Sequence, residues 1–306
     1  MTKSINSPDF KKSFIDDNHV VGLIGYGYIG KAVHALFDGF FDVKIYDVAN
    51  KNLGTLEDVV KNSSVIFVAV PTPMNKDGSC HTDIVESVLK SIQDTAISIS
   101  RDVEEFIVVI KSTVPPGFTE RMSEKHALRI VFSPEFLTEK DSIGDFKFAS
   151  RLVLGGAEED SEIVRSFFVV AWSDRIQDEH DSGLVFVFCD STTAELVKYF
   201  TNVYLTTIVM FANEFYNVCK NLGVDYDTVK EIALLDRRIS HSHLNVPGHD
   251  GSFGFGGSCF PKDINSLKHI CNQLGINERL FSAIIERNNE LRPSRDWEEL
   301  KGRAVV

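Results

Sequence analysis

The sequence predicts an α/β chain: a doubly wound parallel sheet, followed by a long central helix and an all-helical domain. Three observations carry this expectation. Near-continuous apolar, β-branched runs recur through the first 190 residues with helix-length segments between them, as in a parallel sheet covered on both faces. The first run feeds a glycine turn that opens a helix-like segment. From Ser191 to Gly223 no proline interrupts a helical pattern.

Taken in order, residues 1–18 (MTKSINSPDFKKSFIDDN) read as a polar leader without the apolar stretch of a signal peptide. VVGLIGYGYIG (20–30), KAVHALFDGF (31–40) and VKIYD (43–47) then give strand, turn, helix and strand. Further strands are expected in SVIFVAV (64–70), EFIVVIKST (105–113), LRIVFSP (128–134) and RLVLGG (151–156), which makes 19–190 one domain. The long helix places Leu196, Phe200, Val203, Thr207, Met210, Phe211 and Phe215 at helical spacing, with Phe200 and Val203 expected to point toward packing. Residues 225–291 look helical again around one glycine-rich interruption, so 191–292 reads as the central helix plus a helical substrate and dimerisation domain.

Composition removes several function classes. The chain has 306 residues, 32 Lys+Arg against 44 Asp+Glu, a net charge of −12 and a pI near 5.2. That balance opposes attraction to nucleic-acid backbones or anionic lipid. Nowhere are there 18 consecutive apolar residues, so no membrane span is expected and a cytoplasmic location is. The five cysteines form no CxxC pair, which supports neither a disulfide framework nor structural zinc; no metal is expected.

Gly25-Tyr26-Gly27-Tyr28-Ile29-Gly30 is a GxGxxG turn between an apolar strand and a helix, the setting of a Rossmann dinucleotide loop. Gly25 permits the turn, Gly27 lets backbone approach a pyrophosphate, and Gly30 permits close helix–strand packing. Asp47, at the end of the next strand, should accept from the adenosine ribose and repel a 2′-phosphate. NAD is therefore favoured over NADP, although Lys51 stands nearby.

A second loop, Phe253-Gly-Phe-Gly-Gly-Ser-Cys259-Phe-Pro261-Lys262-Asp263, leads clustered glycines into a cysteine at an expected helix N-terminus. There the helix dipole and Lys262 favour thiolate over thiol, and Asp263 lies one helical turn on, placed to assist proton movement. Cys189, Cys219 and Cys271 read as small buried apolar residues. Lys198 and Asn202 are four apart on the long helix and share a face; the pair suits an oxyanion, although an exposed lysine is the plainer reading of the helix alone. Two loops after sheet strands, Lys111-Ser112-Thr113-Val-Pro-Pro-Gly117 and Ser133-Pro134-Glu135-Phe136-Leu137, lie where α/β sheets place ligands. In them Glu135 is a candidate general base beside an apolar Phe-Leu wall, and Thr113 a candidate to orient water or cofactor. Taken alone, either loop reads more readily as simple turn chemistry.

GYGYIG, VPTP (70–73), STVPPG (112–117), SPEFL (133–137), AELVKYFTN (194–202), NE (213–214), DRRI (236–239) and FGFGGSCFPKD (253–263) occur in this order. Together they resemble the UDP-glucose/GDP-mannose dehydrogenase family over residues 20 to 291. The resemblance implies NAD-dependent removal of two successive hydrides from the sugar C6, with UDP-glucose as the expected substrate and UDP-N-acetylmannosamine or GDP-mannose as the alternatives. It implies Cys259 as the nucleophile of a thiohemiacetal and then a thioester, Lys198 and Asn202 as oxyanion donors, Asp263 as proton handler with Lys198, and Glu135 with Thr113 as activators of the hydrolytic water. Phe136, Leu137, Arg238, Phe253 and Gly256, with Glu135, Lys198 and Asn202, match the nucleotide-sugar side. Gly25, Gly27, Tyr28, Ile29, Gly30, Asp47, Pro71, Thr72, Thr113 and Lys262 match the NAD side. It further implies a homodimer through the central helix.

The chain departs from the family pattern at Ser133, usually Asn, at Ser240, usually Gly, and at Ile208, near which a lysine is common. Residues 293–306 are expected to be the stub of a further UDP-binding domain, LKGRAVV (300–306) resembling its first strand. A truncated NAD-binding subunit without independent turnover is the non-enzymatic reading of that shortness.

Overall fold

The computed structural model describes residues 3–5, 19–138, 140–177 and 183–306. Most of the expected polar leader lies outside the described residues. The chain divides into two units: the first is Met1–Thr72 with Thr82–Lys198, the second Pro73–His81 with Tyr199–Val306.

The first unit is built on strands β1 (Lys3–Ile5), β2 (Val20–Ile24), β3 (Asp42–Tyr46), β4 (Val65–Val68), β5 (Ile107–Ile110), β6 (Ile130–Phe132), β7 (Arg151–Gly155) and β8 (Val185–Cys189). They form one sheet in the order β1-β8-β7-β6-β5-β4-β2-β3. From β3 to β6 every pairing is parallel, as the apolar runs predicted. The sheet reverses at β7, which meets β6 antiparallel with Phe132 opposite Gly155, and β8 pairs parallel with β7. Strand direction leaves no trace in the composition of a run buried on both faces, so the reversal was not visible in RLVLGG. Nor was β1, which adds antiparallel to β8 from within the polar leader.

Alternation along each strand assigns the two faces. Val65, Phe67, Ile107 and Val109 join one core, whereas Ile66, Val68, Val108 and Ile110 join the other. Helix α1 (Tyr28–Phe37) covers the first face through Val33, Leu36 and Phe37. On the second face α2 (Leu56–Asn62) contributes Val59 and Val60, α3 (Asp83–Ser98) Val85, Leu89 and Ile92, and α4 (Phe118–His126) Phe118 and Met122. Helices α5 (Ser142–Lys147) and α6 (Glu158–Ala171) return to the first face with Phe146, Val164, Phe167 and Phe168, before the short α7 (Ser173–Gln177). Both faces are therefore closed, and the C-terminal ends of the parallel strands carry the loops that matter chemically.

Helix α8 (Ser191–Leu222) continues unbroken from the first unit into the second and stops before Gly223, whose φ of +70° a side chain would strain. In the second unit it is followed by α9 (Tyr226–Ala233), α10 (Phe260–Gln273) and α11 (Leu280–Leu291). Val203 and Met210 of α8 pack with Phe255, Ile264 and Ile284; Ala212 and Cys219 pack with Tyr226, Leu244 and Val246.

The expectation for Val203 holds, but Phe200 does not pack inward: it is 75% exposed and stacks on Tyr204 at 6.4 Å. Three residues advance a helix by about 300°, and that offset separates the buried row from an exposed one. Residues 300–306 form isolated bridges rather than a strand: Met74 N donates to the Ala304 carbonyl at 2.8 Å and Val306 N to the Met74 carbonyl at 3.1 Å. Among the described residues no helix is long and apolar enough to cross a membrane.

Candidate active site

In the first unit the glycine loop leaves β2 at Gly25, whose N–H donates to the Tyr46 carbonyl of β3 at 2.9 Å. Gly25 has φ +94°, and a Cβ there would strike the Ala69 carbonyl; a Cβ at Gly30 would strike the carbonyl of Gly25. Gly27 differs from both: it caps α1, and a Cβ there would meet nothing within 4 Å. The bare backbone at Gly27 thus opens onto space at a helix N-terminus, a setting that suits a phosphate. Asp47 uses Oδ2 to accept from Tyr26 N at 2.6 Å and Oδ1 to accept from Ala49 N at 2.8 Å. Its carboxylate therefore shapes the loop and retains lone pairs for a hydroxyl. Tyr28 and Ile29 are half-buried, Pro71 is exposed and Thr72 buried.

The next two strand ends carry a buried charge cluster. Ser112 ties the β5 loop to the β4 loop, its Oγ donating to the Val70 carbonyl at 2.7 Å and accepting from Val70 N at 3.0 Å; Thr113 beside it is half-buried. Glu135 is 5% exposed and pairs with the Lys111 ammonium. The nearest partner of its carboxylate is thus a cation, where the sequence suggested an apolar wall. Lys198 is buried, not solvated, and donates to the Glu135 main-chain carbonyl at 2.5 Å. Phe136 lies against Arg151 and Lys198, 4.1 Å and 5.6 Å from its ring centroid. A cavity of about 460 Å³ opens here, lined by Glu135, Phe136, Leu137, Asp145 and Arg151 among others. One turn before Lys198, Glu195 is fully buried and accepts from Gly117 N at 2.5 Å and from Thr119 N at 2.8 Å and Oγ1 at 2.6 Å. The AEL triplet of the sequence motif is thereby explained: its glutamate locks the start of α4 to α8 and fixes the turn that carries Lys198.

In the second unit Cys259 is the N-cap of α10, with Pro261 in the first turn, as the glycine–cysteine–proline pattern predicted. Asp263 is 1% exposed; its Oδ1 accepts from Lys262 Nζ and its Oδ2 from Asn202 Nδ2, each at 2.5 Å. Burial works against the Lys262 charge, but attraction to Asp263, and then to Cys80 and Cys259, outweighs it and holds the amine above the ordinary lysine range. A permanent cation is thus kept beside the thiol. Lys262, which the resemblance placed on the NAD side, donates a hydrogen bond to Asp263.

The thiol loop is held from three sides. Asn213 Oδ1 accepts from Gly254 N at 3.0 Å; Asn288 accepts from Phe255 N at 2.8 Å and donates to its carbonyl at 2.9 Å. Beneath Gly256, where a Cβ would lie 2.5 Å from Cζ and Nη2, runs the buried guanidinium of Arg292. It donates to Asp296 at 2.5 Å and to Asp250 at 2.6 Å, and those carboxylates overcome burial to hold its pKa above the usual arginine value.

The second unit therefore gathers Asn202, Cys259, Lys262 and Asp263, and the first gathers Glu135, Phe136 and Lys198. Arg238 stands apart, its side chain 87% exposed and paired with Asp236 two residues away. Phe253 packs its ring on Tyr216 at 5.5 Å. Sequence reasoning gave no role to Lys111, Asn288 or Arg292. Lys111 carried a signal, a charged residue ending an otherwise apolar strand; Asn288 and Arg292 carried none, since polar residues near a helix end are ordinary. Burial of Cys219 and Cys271 matches their reading as apolar fillers, and burial, then Asp190, pushes the Cys189 thiol up to about 11. Among the described residues no cluster could hold a metal ion.

Residues 44–169 match the UDP-glucose/GDP-mannose dehydrogenase family, NAD binding domain, and residues 192–290 match the central domain of the same family. The glycine loop precedes the first matched span. The UDP-glucose 6-dehydrogenase of Rickettsia bellii (strain RML369-C) is 34% identical over 241 residues, covering 77% of this chain and 51% of that protein. The UDP-glucose 6-dehydrogenase YwqF of Bacillus subtilis (strain 168) is 31% identical over 247 residues, covering 76% and 50%. The chain thus spans about half the length of these curated relatives. A solved UDP-glucose dehydrogenase from the hyperthermophilic archaeon Pyrobaculum islandicum superposes with a TM-score of 0.74 at 28% identity, over 92% of this chain and 70% of that one.

Proposed function

The chain belongs to the UDP-glucose/GDP-mannose dehydrogenase family, and from that premise we propose that it oxidises the C6 alcohol of UDP-glucose to a carboxylate in two NAD-dependent steps. The observation that carries this reading is the cluster of Cys259, Lys262, Asp263 and Asn202 at the start of α10. A thiol, a buried cation and a buried carboxylate bonded to an amide are what capture and further oxidation of an aldehyde require. The open backbone of Gly27 and the carboxylate of Asp47 fit a dinucleotide, the former toward the pyrophosphate and the latter toward the ribose. NAD, when bound, accepts the hydride that leaves C6 in each oxidation.

Cys259 Sγ adds to the aldehyde of the first oxidation and forms a thiohemiacetal. Loss of the second hydride leaves a thioester on the same sulfur. Lys198 and Asn202 offer N–H groups to the oxygen that becomes anionic, and Asp263 takes and returns the proton. Glu135, with Thr113, draws a proton from the water that hydrolyses the thioester, releasing the carboxylate and freeing Cys259. The exposed apolar row on α8 supports a homodimer through that helix.

The test is a parallel assay of the purified chain with NAD and UDP-glucose, UDP-N-acetylmannosamine or GDP-mannose. Two NADH per UDP-glucose consumed is the expected outcome. NADH from a different sugar alone would reassign the substrate, and none from any sugar at saturation, with NAD still bound by calorimetry, would replace the enzyme with a binding subunit.

A further inference from the structure

Lys111 directly follows β5 and is 1% exposed, a depth at which lysine is retained only with partners. Its Nζ donates to Ser133 Oγ at 2.9 Å and forms an ion pair with Glu135 Oε1. Two rings complete the enclosure, Phe146 of α5 at 5.2 Å and Phe168 of α6 at 6.0 Å. From α8 the charged group acting on it is Lys198. Burial pushes the Lys111 ammonium well below the ordinary lysine range, and Lys198 pushes it the same way. The Glu135 carboxylate is the anion paired with this amine.

We propose that Lys111 is a positioning residue for hydrolysis of the thioester: tethered to Ser133, its ammonium aims the Glu135 carboxylate and keeps it an anion able to receive a proton from water. The inference rests on the role given above to Glu135 and adds the group that sets its direction and charge. An apolar wall alone would favour the protonated acid, which cannot act as a base; a buried ammonium favours the anion. Two tethers on one amine also fix a carboxylate that packing alone would leave free to turn.

The experiment compares wild type with Lys111→Met, Lys111→Gln and Lys111→Arg. Without substrate, infrared titration follows the Glu135 carboxyl, identified as the signal lost in Glu135→Gln. Met and Gln at 111 should move its protonation to higher pH by about one to three units, and Arg should return it toward wild type. In single turnovers with UDP-glucose and NAD, both NADH should still form while release of the acid slows about 10²-fold or more, leaving sugar bound to Cys259. If Lys111→Met does not fold, Lys111→Gln, which can keep the bond to Ser133 without the charge, decides the matter. An unchanged carboxyl titration with product release at the wild-type rate overturns the proposal. Wild type that makes no NADH overturns the enzymatic reading instead, and the infrared comparison still decides whether Lys111 governs Glu135.

Discussion

Gly27 and Gly30 lie three residues apart in one motif, yet the surroundings of their missing side chains differ completely. A Cβ at Gly30 would be driven into the Gly25 carbonyl, whereas one at Gly27 would enter open space. Gly30→Ala should therefore cost about 1–3 kcal/mol of stability through overpacking. Gly27→Ala should stay within about 0.5 kcal/mol of wild type while weakening NAD binding. Denaturant melts and calorimetry of the two variants separate these outcomes; equal stability loss in both would contradict the assignment. The GxGxxG spacing made both glycines legible, because each is required for a reason that local geometry states. Lys111, Asn288 and Arg292 were not legible, since their importance comes from burial against residues distant in the chain, such as Glu135 for Lys111 and Phe255 for Asn288.

Helix α8 shows how an element can be read correctly while its faces are not. Proline-free length and the stop at Gly223 defined it to within a residue, yet periodicity alone merged two rows of apolar side chains. One row, with Tyr199, Val203 and Met210, is buried. The other, Phe200, Tyr204, Phe211, Phe215, Val218 and Leu222, is 41% to 75% exposed and runs about 33 Å along the helix. A stripe of that length is the face through which the proposed homodimer would form. Phe211→Glu with Phe215→Glu should leave the unfolding temperature unchanged and convert a dimer to a monomer in sedimentation velocity. A wild-type chain that is monomeric at micromolar concentration would contradict the association.

For the molecule as a whole, the texture of the sequence changes at Ser191, but the boundary between the units falls after Lys198, about two turns inside α8, and Pro73–His81 belongs to the second unit. No composition shift announces either detail, because both follow from tertiary contacts such as Met74 with Ala304. The antiparallel turn of the sheet at β7 escaped for the same reason. What the sequence did announce is the placement of two motifs: a glycine turn opening a helix in one unit and a thiol at a helix N-terminus in the other. That thiol is the central claim, and trapping tests it most directly. A quenched single turnover with UDP-glucose and NAD should yield, by peptide mass spectrometry, a sugar adduct on Cys259 that is absent in Cys259→Ser. Complete oxidation by Cys259→Ser, or an adduct on any other residue, would contradict it.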